Sequence, residues 1–410
     1  MTEKAKAPGH GKPLLFIFIT VALNSIGIGL IMPVMPDLLL ELAPSVEDAT
    51  IGAAAWWGAW LTAAYAVMQF LMSPTLGNLS DAYGRRPVML ISLLVMGVDY
   101  LIMAISPTMA LLFVARVIAG AASATFSTAN AFVADITPPE KRAQNFGLIG
   151  AAFGVGFVLG PAIGGLLGEF GARAPFWAAA ALTFANLIFG WFVLPETLRP
   201  EKRRPFRLKR SNPIGAGFQM VRRPAVAWML VALFIYNISH YVYPVVWSYY
   251  TKEKFDWTPA DIGLSLALVG IGFAVMQGFL IRRIIPRFGE VKTALAGFAA
   301  DVIALVAVAL VTESWMVYAL IPLTSFSALV SPAVQGLMSR RVPDDEQGEL
   351  QGAYSSLASL SFIITPLIMG PLFFAFSDRT EAFYFPGAPF LAAACFSALA
   401  ILPFVVGQRR

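Results

Sequence analysis

The chain has 410 residues, 58% of them hydrophobic and 13% charged, with a mean hydropathy of +0.72. About 25% charge is normal for a soluble domain, so this composition excludes that class and points to a polytopic membrane protein. The net charge of +5 does not mark a nucleic-acid binder, because the basic residues sit in short loops between apolar runs, where they report orientation; the single cysteine, Cys395, excludes a disulfide within the chain.

The first apolar run, at about 14–40, follows a polar, basic dozen residues and ends without a small-residue cleavage pattern, so it reads as a first span retained in the mature protein. Five more runs lie at about 52–76, 88–105, 108–134, 143–168 and 174–194. A further six lie at about 225–250, 260–281, 291–312, 314–335, 348–376 and 385–407. Each is long enough to cross a hydrocarbon layer of roughly 30 Å. Backbone groups in lipid must be satisfied within the segment, which predicts twelve helices. On this reading 24 of the 29 Lys and Arg lie on the side that holds both termini, four lie on the other, and Arg116 lies within a span. That asymmetry predicts cytoplasmic termini.

Residues 195–224 carry nine Lys and Arg, among them Arg203, Arg204, Lys209 and Arg210, and read as a cytoplasmic linker facing anionic lipid. The linker separates an N-terminal six-helix bundle, 1–194, from a C-terminal one, 225–410. An internal offset of 205 pairs Gly84 with Gly289, Pro138 with Pro343, Gly147 with Gly352, and Pro161 with Pro366. Such a repeat predicts two parallel, pseudo-symmetric halves with a solute site between them.

Several polar features interrupt the apolar pattern. The run GNLSDAYGRRP, Gly77 to Pro87, holds Asp81, Arg85 and Arg86 at a water interface. The three charges can simply be solvated, but Gly77 and Gly84 supply the tight backbone path and close helix approach that a gating contact needs. The second copy, Arg287-Phe288-Gly289-Glu290, is degenerate. In the fifth span Gly147, Gly156, Gly160, Pro161, Gly164 and Gly165 form the pattern G-x8-G-x3-G-P-x2-G-G, which predicts intimate helix packing with one backbone hydrogen bond removed.

Three charges fall at membrane depth, where each costs about 2.5–3.5 kcal/mol on insertion scales. Asp99 reads either as a proton or cation carrier or as a fixed pair with Arg116. Asp301 has no evident basic partner in its own half and reads as a carrier. His240, beside Tyr241 and Tyr243, is either a proton relay or a hydrogen-bonded packing residue. Gln69, Asn130, Asn237, Gln277 and Gln335 either orient a ligand or join helices. Trp56, Trp57, Trp60 and Trp247 either stack a planar compound or anchor span ends. The sequence contains no Walker loop, dinucleotide fingerprint, His/Cys metal cluster or supported Ser-His-Asp set. Neither an enzyme nor a cofactor or metal site is therefore expected, and uphill movement has to draw on an ion gradient.

The run from Gly77 to Pro87 resembles the loop between helices 2 and 3 of the major facilitator superfamily, which implies that Asp81, Arg85 and Arg86 latch the two halves when the site faces outward. The fifth-span pattern resembles the motif of drug-exporting proton antiporters in that superfamily, which implies efflux. GIGLIMPVMP (Gly27–Pro36), VDYLIMA (Val98–Ala104), APFWAAAAL (Ala174–Leu182), Gly297 to Asp301 and Gln347 to Gly352 extend a similarity to the tetracycline/proton antiporters over nearly the whole chain. The similarity implies cation and proton handling by Asp99, Arg116 and Asp301. It also implies an all-α membrane fold of twelve transmembrane helices in two six-helix bundles, placed in a bacterial inner membrane. Two departures stand out. Asn24 replaces an acid in the first span and is retained as a ligand-facing amide; Phe273 replaces a histidine in the eighth. Both make the cavity less charged and more aromatic.

The expected function is export of a small amphipathic compound, a tetracycline-like drug among the options, in exchange for protons. A proton-coupled nutrient importer or facilitator and a non-transporting receptor or scaffold are the alternatives. A proton gradient takes the place of a cofactor. The expected partners are a small-molecule substrate, protons and the lipid bilayer, with no nucleic acid and with a monomer as the working unit.

Overall fold

The computed structural model describes residues 11–43, 49–123, 125–137, 142–198, 201, 203–206, 223–343, 346–380 and 383–409. Pro138, Lys209 and Arg210 lie outside them. Among the described residues, helices form twelve rods. The first six are α1 (Gly11–Ile31) with α2 (Met35–Glu41), α3 (Ile51–Tyr83), α4 (Arg85–Ile105), α5 (Met109–Ala122) with α6 (Thr125–Ile136), α7 (Arg142–Gly168) and α8 (Ala174–Val193). The seventh and eighth are α9 (Pro224–His240) with α10 (Val242–Phe255), and α11 (Pro259–Val275), which passes through a π-helical turn (Met276–Leu280) into α12 (Ile281–Phe288). The last four are α13 (Glu290–Leu310), α14 (Ser314–Phe326) joined by a 3₁₀ turn (Ser327–Leu329) to α15 (Val330–Ser339), α16 (Gln347–Phe376) and α17 (Ala388–Arg409). Ten rods are individually long and apolar enough to span a membrane; α3 and the α5–α6 rod complete the set. The described residues contain no strand.

Every span is helical, as expected, but five rods are broken along their length. Pro36, Pro244 and Pro332 each lie in the first turn of a restarted segment, α2, α10 and α15. A proline there forfeits no intrahelical hydrogen bond, because the first N–H groups of a helix have no partner anyway. The charged turn is also tighter than expected. It is helical almost throughout, and Gly84 alone separates α3 from α4 at φ +111°. Gly289 separates α12 from α13 in the same way at φ +76°. The offset of 205 also carries the ion pair Arg85–Asp135 onto Glu290–Arg340, with its polarity reversed.

Within the first half α1 lies along α7 and α8, and within the second α17 lies along α9 and α13. The halves meet on two seams, α7 against α11 and α3 against α16 and α10. Along both seams the glycines change surroundings from one end to the other. Gly165 and Gly168 press on Pro259, and Gly263 presses on Pro161 and Gly165, so tightly that a Cβ would overlap them; around Gly147, Gly150 and Gly154, nearer the termini, there is open space. Gly52 meets Phe374 and Ser377, and Gly370 meets Ala59, while Gly77 and Gly348 meet nothing. The molecule is therefore closed on the face away from its termini and open on the face that bears them. Among the described residues, three polar contacts join the halves on the closed face. Asp37 pairs with Lys252 at 2.6 Å, Glu169 Oε1 accepts from the Ala260 N–H at 3.2 Å, and Ser248 Oγ donates to the Met32 carbonyl at 2.8 Å.

Candidate functional site

Asp99 and Asp301, one in each half, are buried at membrane depth; Glu253, at the end of α10, is also buried but is paired with Arg379. Asp99 on α4 is 2% exposed and is held by Arg116 on α5, whose Nε donates to Oδ1 at 3.2 Å while Nη2 reaches Oδ2. The guanidinium also lies 5.3 Å from the centre of the Tyr65 ring. Tyr65 OH and Gln69 Nε2 both donate to Ser123 Oγ, at 2.8 and 2.9 Å. A connected polar group thus runs from the buried acid towards the seam.

Asp301 on α13 is fully buried, and neither carboxylate oxygen has a hydrogen-bond partner. The sequence reading gave it no basic partner in its own half; the fold supplies one. His240, at the end of α9, points Nδ1 at Asp301 Oδ1 from 3.9 Å. Its ring stacks on Tyr236 at 5.4 Å and on Phe273 at 5.7 Å, with Tyr243 edge-on at 5.9 Å. The Tyr236 hydroxyl donates to the Ser327 carbonyl at 2.9 Å, in the 3₁₀ break of the tenth rod.

Between the halves, where the α3 seam begins to part, a cavity of about 180 Å³ is lined by Ala66, Gln69, Tyr241, Ala358, Ser359 and Phe362. Tyr241 and Phe362 meet edge to face at 5.1 Å, so this wall is aromatic, with the Gln69 amide and the Ser359 hydroxyl beside it. The other polar candidates are dispersed. Asn24 is buried with Oδ1 unpaired, and Asn237 is buried. Asn130 is exposed and Gln335 half-buried. Gln277 donates to the Ala328 carbonyl at 3.3 Å and so ties the π turn of the eighth rod to the 3₁₀ turn of the tenth. Trp247 belongs to neither vestibule nor lipid interface. It is 5% exposed among Tyr243, Tyr250, Trp257 and Phe390, with Nε1 donating to Ser265 Oγ at 3.0 Å. Trp57 and Trp60 are exposed, and Trp56 packs on Trp60 and Phe374.

At the charged turn Arg85 pairs with Asp81 at 2.6 Å and with Asp135 at 3.1 Å. The Glu196 carboxylate, just past α8, accepts the N–H groups of Arg85 (2.9 Å) and Arg86 (3.2 Å) and so caps α4. It occupies the space a Cβ on Gly84 would need, which, with the positive φ, makes glycine obligatory there. Arg86 Nη2 donates to the Trp191 carbonyl at 2.6 Å. All of these partners belong to the first half or the start of the linker. Asp135 and Glu196 escaped the sequence reading, because an acid at a span end looks solvated.

Gly77 lies mid-helix with open space around it, so it makes no close approach here. In the fifth-span pattern, Gly156, Gly160 and Gly164 press on α1, and Gly165 presses on α11. Gly147 touches nothing within 4 Å, and α7 runs unbroken through Pro161.

The family model described as Major Facilitator Superfamily matches residues 17–249 and 229–409. The tetracycline resistance protein, class C, of Escherichia coli is 42% identical over 363 residues, which are 88% of this chain and 90% of that one. The class G protein of Vibrio anguillarum is 38% identical over 86% of this chain and 88% of its own length. Among solved structures, the human organic anion transporter MFSD10 (TETRAN) superposes with a TM-score of 0.71 at 25% identity, covering 98% of this chain and all of that one.

Proposed function

The chain belongs to the Major Facilitator Superfamily, and we propose that it exports a small amphipathic compound, tetracycline being the first to test, in exchange for protons. Relatives named for tetracycline resistance over most of both chains support this direction and this probe. The observation that carries the coupling is Asp301. A carboxylate sealed in an apolar bundle without a hydrogen bond is costly, so its charge persists only if a proton or a passing solute neutralises it in turn.

The excess of basic residues on the termini side supports cytoplasmic termini in a bacterial inner membrane. The open face is then the inward face, where the compound enters. Rocking of the halves about the central site exposes it on the other side. Asp301 carries the proton, and Asp99 with Arg116 sets the charge of the first half. Asp81, Arg85 and Arg86 control the inward gate. Asn24, Gln69 and Asn237 offer amides to the solute, and a single chain is the working unit. In proteoliposomes, Asp301→Asn should abolish tetracycline-driven proton movement. Undiminished movement would remove Asp301 from the mechanism.

A further inference from the structure

The two acids buried at membrane depth, Asp99 and Asp301, have partners of different kinds. Arg116 keeps its proton under all relevant conditions, whereas an imidazole exchanges one near neutrality. Asp301 is 0% exposed, while the His240 side chain is 22% exposed. The ring therefore touches both the sealed carboxyl and the space outside it. Hydrogen-bond direction then distinguishes its nitrogens. The Tyr236 hydroxyl gives its only proton to Ser327, so Nδ1, 3.5 Å from that oxygen and 3.9 Å from Asp301, faces two oxygens that can accept a hydrogen from it once the carboxyl is ionised. Nε2 is left as the nitrogen that exchanges with water.

We propose that His240 is the route by which the Asp301 proton leaves. The carboxyl O–H bond breaks as Nδ1 takes the proton, and the ring then loses the hydrogen on Nε2 to vestibule water. The pair ends as a carboxylate facing a neutral ring protonated on Nδ1; one proton departs and no electron moves. The 3.9 Å gap is longer than a hydrogen bond and is closed by a small ring rotation or one water. Among the described residues, Tyr236 from α9, Tyr243 from α10 and Asp301 from α13 are the titratable groups facing the ring, with Tyr354 of α16 beside Tyr236; α11 contributes the uncharged Phe273. The proposal rests on Asp301 as the coupling acid, but it is tested separately.

The test uses the full chain in liposomes. The Asp301 carboxyl infrared band, taken as wild type minus Asp301→Asn, is followed during hydrogen–deuterium exchange without any substrate. His240→Gln should slow that exchange about tenfold or more, the scale of a lost general acid–base. His240→Ala should lose tetracycline–proton exchange and recover part of it with added imidazole, a rescue that a misfolded protein does not show. Wild-type band exchange in His240→Gln overturns the proposal, as does a wild type with no such band between about pH 5 and 9. Should Asp301→Asn still couple while His240→Gln slows the band, the relay stands and the coupling assignment falls.

Discussion

Asp99 precedes Arg116 by 17 residues, across the short turn between α4 and α5, and the two side chains meet inside the first half. Removing the cation alone strands a carboxylate that is 2% exposed, so Arg116→Ala should destabilise the protein by about 3–5 kcal/mol. The double variant Asp99→Asn with Arg116→Gln, which leaves no net charge to bury, should lose less than Arg116→Ala alone. Thermal unfolding of the purified proteins orders the two, and an Arg116→Ala melt equal to wild type would refute the stranded-charge argument. This pair was legible in the sequence because both charges interrupt apolar runs and lie on consecutive spans. The contact between His240 and Asp301 was not, since no spacing rule relates the seventh and ninth rods, and a lone histidine among tyrosines reads as packing. Glu196 was hidden for a related reason. Its worth lies in two backbone N–H groups more than a hundred residues away, which only the folded chain brings to it.

α7 tests how much a glycine pattern says about a helix. Gly164 abuts the backbone of Leu30, so a methyl group there has to push α1 away from α7. Gly164→Ala should cost about 1–3 kcal/mol, the usual range for overpacking. Gly147 has nothing within 4 Å, and Gly147→Ala should leave stability unchanged or raise it by up to about 1 kcal/mol through helix propensity. Melting curves measured side by side decide this, and the reverse order would show that α7 packs by other residues. The motif thus names six positions of one helix that serve three surroundings, α1, α11 and open space. Apolar length identified the twelve rods, because lipid leaves the backbone no alternative to a helix. It could not locate helix ends or breaks. Residues 77–83 are polar because α3 has left the hydrocarbon, not because the helix has stopped, and a proline in a restarted first turn looks like one inside a continuous helix.

Two bundles sharing two seams can close one face only by parting the other, so the closed face holds the conformational balance of the whole molecule. Its basic residues are all engaged. Arg173 pairs with Glu41, Arg379 with Glu253, and Lys254 donates to Tyr250 and the Ala309 carbonyl, each within one half; among the described residues Lys252 alone crosses to the other half, to Asp37. Those two side chains are 22% and 24% exposed, so solvent still screens the pair; a worth of about 1 kcal/mol, the upper end for solvent-accessible pairs, is roughly a fivefold change in the ratio of the two states. Lys252→Ala should therefore shift the population towards opening of this face without unfolding either half, and raised salt should move the wild type in the same direction. Spin labels at Thr50 and Asp256, exposed on opposite halves of this face, report the distance by pulsed dipolar spectroscopy once Cys395 is replaced by serine. The long-distance fraction should grow in Lys252→Ala and fall back in the exchanged variant carrying Asp37→Lys and Lys252→Asp. The return should be incomplete, because a lysine at 37 faces the first turn of α2, whose dipole favours the native acid. Recovery in the exchanged variant assigns the shift to the charge pair and not to packing of the lysine stem. A distance distribution indifferent to both substitution and salt would instead place the balance in the glycine seams.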